Sequence, residues 1–461
     1  MHTRFRHLRE MLTSGYWFVP AVMVGAAALG ALALLWVDRR LVQSHAAQGW
    51  LYSGGPDGAN TLLSTVAASV VTVAGVVFSI TIAALSQAAS QFGPRLLRNF
   101  MSDTGNQVVL GTFVATFVYC LLVLRTVHGD TAEAPAFVPH AAITVAVLLA
   151  VLSIGVLVYF IHHVSASLQA PMVVAVAKAD LERVIARLED EVGIGGAEAL
   201  PGAGRDPRPA GFPSMARPVA APRSGYVQAI DYDGLAAAAV AADLTLQLNY
   251  RPGDYVIERN ALLLAWPAER CGTDVARQLA EAFICGRHST PEQDLEYGVR
   301  QIVEVAVRAL SPGINDPFTA INCIDVLGSA ICRVARHGLP GPLRFDAAGT
   351  LRLVMPVTTF GGLVDMAFNQ IRQYGASSVP VTVRMLEVIA DAAEQLTGEP
   401  ERAVLRRHAA MVYRQGCRAA HEKGDLDDLR DRWHAALASL GVEGEVAEGA
   451  SLAADAGPCH S

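Results

Sequence analysis

At 461 residues the chain is too long for one ordinary domain, since domains typically take about 100–200 residues. Only 17% of its residues are charged against 52% hydrophobic; soluble proteins average about 25% charged, and the deficit is concentrated in the first third. A net charge of -7 with no long basic run argues against nucleic acid as a partner, because phosphate binding needs clustered Lys and Arg.

Arg4, Arg6 and Arg9 precede an apolar run at 17–37. That run spans ~30 Å of hydrocarbon and exceeds the h-region of a signal peptide. It is read as an uncleaved first span, with Tyr16 and Trp17 at the interface and Asp38-Arg39-Arg40 closing it. Residues 53–58, SGGPDG, form a turn cluster. The second span, 61–91, is longer than a bilayer is thick and stops at Gly93-Pro94. Arg95 and Arg98, interleaved with Leu96, Leu97, Phe100 and Met101, make a short amphipathic piece suited to a membrane surface. Spans at 108–127 and 140–160 follow. The third carries a polar stripe of Thr112, Thr116 and Tyr119, and His162-His163 mark the exit of the fourth as interfacial residues. With four spans, the basic clusters, including Lys178, Arg183 and Arg187, share one side and the loop of Asp130 and Glu133 takes the other. Arg39 and Arg40 run against this bias. The expected topology places both termini in the cytoplasm of a bacterial inner-membrane protein.

After 1–163, residues 164–224 read as a cytoplasmic helix followed by a Gly/Pro/Ala linker from Gly193. Residues 225–268 read as a small β-rich module: YVQAIDY and LTLQLNY alternate, and Pro252-Gly253-Asp254 turns the chain before YVIERNALLLAW. The pattern resembles lipoyl and biotinyl carrier half-barrels, but no Lys lies between 225 and 267, so a carrier function is not expected. Residues 269–441 have helical period. Thr290 is expected to cap a helix with Pro291 at its first position and Gln293 closing a capping box. That helix, to Leu310, turns Leu295, Val299, Ile302, Val303 and Ala306 inward. A turn at 311–317 leads into a helix from Asp316-Pro317 to His337, closed by Gly338. A hairpin around 346–349 is expected within 343–356. Helices follow at 360–374, 379–396, 401–421 and 425–440, with a flexible tail at 442–461. The fold class is thus membrane all-α, four transmembrane helices, followed by a cytoplasmic α+β region.

Two stretches are candidate sites. Thr65, Ser69, Thr72, Ser79, Ser86 and Ser90 share one face of the second span, with Val76 and Ala83 filling its gaps and Gln87 and Gln91 at its end. Val70, Val73, Val77, Phe78 and Leu85 form the opposite face. The hydroxyls either line a polar path or let helices pack closely. Ser311, Asn315 and Asp316 in SPGINDPFT place polar groups at a helix N-terminus, where an anion can bind; the alternative is a plain helix–helix connection. Glu296–Arg300 and Glu304–Arg308 are spaced i, i+4 and read as a solvated helix face. The seven cysteines (120, 271, 285, 323, 332, 417 and 459) form no C-x-x-C pair and read as reduced, scattered thiols. No metalloprotease, Walker, nucleophile-elbow or dinucleotide motif occurs. No enzyme activity, catalytic residue, metal or cofactor is expected.

The runs TVAGVVFSITIAALSQAASQFGPRLLRNF, GNQVVLGTFVATFVYCLLVLRTV, TPEQDLEYGVRQIVEVAVRALSPGINDPFTA and FNQIRQYG resemble a family of bacterial predicted membrane proteins, domain of unknown function 2254. The resemblance reaches to about Glu387 and implies a membrane location and a shared architecture, with no assigned reaction. Two functions are expected to compete: a channel-like or transport protein gated by its cytoplasmic part, and a non-transporting sensor or scaffold. The partners expected are the lipid bilayer, further copies of the chain and a cytoplasmic protein.

Overall fold

In hydrocarbon a backbone must satisfy its own hydrogen bonds, so long apolar segments become helices. The computed structural model describes residues 17–41, 52–92, 103–130, 136–167, 170–195, 208–209, 211–290 and 293–442. It forms two compact units, Met1–Val173 and Val174–Ser461. The first contains α1 (Phe18–Leu41), α2 (Pro56–Phe92), α3 (Thr104–Leu124) and α4 (His140–Ser167). At 37 residues, α2 is about 55 Å long and begins inside the expected turn cluster. The basic residues before Tyr16, the piece at 93–101, Glu133, most of the linker and the tail lie outside the described residues.

The centre of this unit is α3, which packs on α1, α2 and α4. Over half of it is buried. Gly111 lets α1 approach: a Cβ there would stand 3.2 Å from Pro20 Cα. Leu63, Ala67, Tyr119, Cys120, Val123 and Ile143 fill one end of the core, and Val77, Val109, Phe113 and Phe160 the other.

The second unit opens with α5 (Ala170–Gly195) and α6 (Phe212–Met215). Its strands are β1 (Arg217–Ala220), β2 (Gly225–Ile230), β3 (Thr245–Leu248), β4 (Tyr255–Val256), β5 (Ala261–Trp266), β6 (Phe283–Gly286), β7 (Leu343–Phe345) and β8 (Leu351–Val354). They form two sheets, ordered β1-β5-β3-β8-β7 and β4-β2-β6. All pairs are antiparallel except β3–β8. Helix α7 (Tyr232–Ala241) crosses between β2 and β3, and α8 (Thr273–Glu281) precedes β6. The sheets therefore draw strands from both sides of the expected 225–268 module. β1 comes from the expected linker; β6, β7 and β8 come from the expected helical region. β7 and β8 are the hairpin expected within 343–356, paired antiparallel on either side of 346–349. β1 and β6 are four residues long, too short for alternation to announce them, and long-range pairing with β5 and β2 holds them. A parallel pair with an intervening helix is also unlike a carrier half-barrel.

Helices α9 (Leu295–Ala309), α10 (Pro317–His337), α11 (Phe360–Tyr374), α12 (Val379–Glu394), α13 (Glu399–Ala419) and α14 (Lys423–Ser439) complete the unit. Leu295, Val299, Ile302, Val303 and Ala306 of α9 are all buried. The N-cap of α9 is Asp294, whose carboxylate accepts the Tyr297 N–H at 2.9 Å. The expected cap at Thr290 does not form, because those residues serve β2 instead. Thr290 donates its hydroxyl proton to Gln228 O, and the Gln293 amide bonds both the N–H and the carbonyl of Ile230. Pro291 and Glu292 are outside the described residues. Asp316 and Gly338 do cap α10.

Five described helices, against the four expected, are long and apolar enough to cross a membrane. The fifth is α10. It is half buried inside the second unit, packed on α9 and α12, with Gly328 against Val388. It carries ion pairs from Arg333 to Glu189 at 2.6 Å and from Asp325 to Arg384 at 2.5 Å. A core helix shared by several partners is apolar on more than one face, which gives it the composition of a span.

Candidate functional site

In the first unit, α2 buries Ala59, Leu63, Ala67, Val70, Ala74, Val77, Thr81, Ala84 and Ala88. Thr65, Ser69, Thr72, Ser79, Ser86, Gln87 and Ser90 are all exposed on the face that the chain's own helices leave uncovered. Phe78, on the helical-wheel face opposite the stripe, is 45% exposed. Thr65, Thr72 and Ser79 each donate to the carbonyl four residues back, at 2.6, 2.8 and 2.9 Å, and Ser90 to the carbonyl three back. Such bonding satisfies a hydroxyl within its own helix. The side chain of Gln91 is outside the described residues.

The stripe on α3 lies inside the bundle. Thr112 and Thr116 bond back along the helix; Thr116 also meets Ser153 at 3.4 Å, and Tyr119 donates to Ala142 O at 2.9 Å. Asn106 and Gln107 are buried beside them. Asp38 does more than close α1. Its carboxylate, 3% exposed, accepts the N–H groups of Ala141 and Ala142 at 3.0 and 2.9 Å. A carboxylate at a helix N-terminus satisfies orphan donors and complements the dipole. His163, expected to be interfacial, pairs through Nε2 with Asp103 Oδ2 at 2.6 Å, and Asp103 also caps α3. His162 is exposed. Each acid stands beside an apolar run in the sequence, but the partners lie 60 to 104 residues away, so the pairing itself leaves no local signal.

The turn after α9 is built from its own groups. Ser311 donates to Arg308 O, and Asp316 accepts both the N–H and the hydroxyl of Thr319. Asn315 takes a left-handed φ of 50°, a conformation Asn tolerates. Ile314 and Phe318 stand out at its tip, Phe318 at 81% exposure.

A cleft in the second unit, about 170 Å³ in volume, was not anticipated. α5 contributes Val184, Arg187 and Leu188; the turn before β4 contributes Arg251 and Pro252; Tyr232, Asp294, Arg344 and residues 355–358 complete most of the wall. Behind it runs an ion network. Arg251 reaches Glu296 at 2.6 Å, Glu296 also meets Arg300 at 3.2 Å, and Arg300 meets Asp294 at 2.8 Å. Glu296 is thus buried and is no part of a solvated face, whereas Glu304 and Arg308 pair at 3.5 Å on a part-exposed one. Burial pushes the Asp294 carboxyl above its ordinary range, and Arg300 opposes it. Gly253, at φ 95°, passes directly over that carboxylate. Arg344 stacks 5.2 Å from the Tyr232 ring and pairs with the exposed Asp233 at 3.3 Å. The wall is drawn from stretches as far apart as Val184 and Thr358, so no local motif records it.

Among the described residues, all six cysteines are free thiols, and no cluster of three or more His, Cys, Asp or Glu has a metal-holding arrangement. The family model described as "Predicted membrane protein (DUF2254)" matches residues 13–391. The chain belongs to this family. The DUF2254 match covers all four helices of the first unit and the cleft of the second. Two relatives, each an uncharacterized protein, come from Mycobacterium bovis and Mycobacterium tuberculosis. Each is 31% identical over 431 residues, covering 92% of this chain and 80% of the relative. No solved structure matches the chain significantly.

Proposed function

We propose that this DUF2254 protein is a channel-like assembly of the bacterial inner membrane, with four spans per chain, both termini cytoplasmic and the α+β unit regulating it. The observation that carries the reading is the uncovered face of α2. Its hydroxyls and glutamine point away from the chain's own core, so further copies of the chain are the natural cover and α2 the natural lining. The basic flanks support the orientation. α10 is left out of the span count because its ion pairs to Glu189 and Arg384 belong to a folded unit. No catalytic residue or cofactor is assigned.

A second reading, a sensor or scaffold without transport, is favoured by the exposed Ile314 and Phe318, which suit a cytoplasmic protein partner. Liposomes carrying the purified protein separate the two. If α2 lines a path, Thr72→Leu or Ser79→Leu leaves the oligomer crosslinked but blocks an ion or dye flux seen in the wild type. Alanine at either position stays nearly silent. Assembled wild-type protein without flux across several ions and small solutes leaves the sensor or scaffold.

A further inference from the structure

The cleft of the second unit joins an apolar wall to polar groups that already have partners. We infer that it binds a small uncharged molecule, mostly hydrocarbon, the size of one ring with a short substituent. This site is independent of the uncovered face of α2.

Size sets the first limit. An apolar cavity near ~150 Å³ holds a benzene molecule, and this cleft has about 170 Å³. Val184 and Leu188 on α5, Leu339 after α10, and Met355 and Val357 after β8 supply apolar wall from three parts of the chain. A ring removed from water against such a wall gains free energy, and the thioether of Met355 adapts to a ring edge.

The polar groups set the second limit. Arg251 pairs with Glu296 at 2.6 Å and with Asp254 at 3.8 Å, and its guanidinium donates to the Thr358 hydroxyl at 3.1 Å. That hydroxyl in turn donates to Glu296 at 3.2 Å. Arg344 pairs with Asp233 and stacks on Tyr232, and Arg187 is engaged as well. Asp294, the one carboxylate among the described lining residues, accepts the Tyr297 N–H and the Arg300 guanidinium. Gln293 gives both ends of its amide to Ile230. Pro252, Pro340 and Pro356 also line the cleft and have no N–H to offer.

These commitments decide the class of ligand. A charged molecule would leave water for a wall in which every charge already has its partner, so nothing offsets its lost hydration. A sugar would bury several hydroxyl groups without partners, each at a cost. An uncharged hydrocarbon ring needs only contact, and it leaves the existing pairs in place.

The test uses the full chain purified in detergent and four probes built on one ring: benzyl alcohol, benzoate, benzylammonium and myo-inositol. Saturation-transfer NMR and ligand-dependent shifts in melting temperature are the readouts. Benzyl alcohol is expected to bind saturably. Benzoate and benzylammonium, which add a charge, and inositol, which surrounds its ring with hydroxyls, should each bind weaker by about tenfold or more. Leu188→Trp and Leu339→Trp fill the space from two different elements. A folded variant of either kind should lose the saturable binding and keep only partition of the probe into detergent. Should neither fold, the methyl NMR signal of Met355 in the wild type, assigned with Met355→Leu, locates the ligand and should move as benzyl alcohol saturates. Absence of saturable benzyl alcohol binding overturns the inference. So does a charged probe or inositol that binds as tightly, saturable binding unchanged in a folded filled variant, or a Met355 signal that stays in place at saturation.

Discussion

Gly253→Ala tests whether the turn before β4 and the start of α9 are one mechanical unit. The substitution has two costs. Gly253 holds φ at 95°, and a non-glycine residue in such a region costs of order 1–3 kcal/mol. A Cβ there would also stand 2.1 Å from Asp294 Oδ2, so the carboxylate must move. Moving it weakens the cap on the Tyr297 N–H, worth about 0.5–2 kcal/mol, and disturbs the 2.8 Å pair with Arg300. Together these give a loss of about 2–4 kcal/mol. For a unit of this size each kcal/mol lowers the melting temperature by about 2–4 °C. The second unit of the full chain should therefore melt roughly 5–15 °C early, as followed by fluorescence in detergent. Gly313→Ala is the control: it has open space around it and no left-handed φ, and should leave melting unchanged. A Gly253→Ala protein that melts within 2 °C of wild type would refute the coupling.

Asp38→Ala should destabilise the membrane unit by about 1–2 kcal/mol, since the Ala141 and Ala142 N–H groups lose a charged acceptor; unchanged resistance to denaturing detergent would count against it. Asp316→Ala should cost about 0.5–2 kcal/mol as a lost N-cap. Lost flux or partner binding with unchanged melting would make that turn a site and not a connection. The third concerns acid. Burial pushes the His408 imidazole below its ordinary range, against the opposing pull of Asp365 at 2.8 Å. The ring is neutral in the fold and takes up a proton on unfolding. Its contribution is present above the ordinary imidazole pKa of about 6.5 and is lost as pH falls below it through the depressed folded value. His408→Gln should flatten the stability–pH curve of the second unit in that window, and an unchanged slope would reject the assignment.

What the sequence determined by itself was whatever local composition controls. Length and apolarity marked the helices α1 to α4, because hydrocarbon forces the backbone to bond within each segment. Period and turn chemistry placed α9's inner face, the Asp316 cap and the Gly338 stop. Both candidate stretches were legible as patterns: the hydroxyls of α2 do share a face, and Ser311, Asn315 and Asp316 do share a turn. Tertiary structure decided which face of α2 is left uncovered, because that depends on where α3 packs, and a helical wheel has no inside until a partner arrives. It also packed α10, expected as a helix of the region after 269, on α9 and α12 and paired it through Arg333 and Asp325, although its hydropathy is that of a span. Short strands such as β1 and β6 exist only through distant pairing, and the Thr290 cap lost to Asp294 because Gln293 was needed by Ile230. The cleft was invisible for the same reason. Arg187, Arg251 and Arg344 lie far apart in sequence, and only the folding of α5, the turn and β7 around one another makes them neighbours.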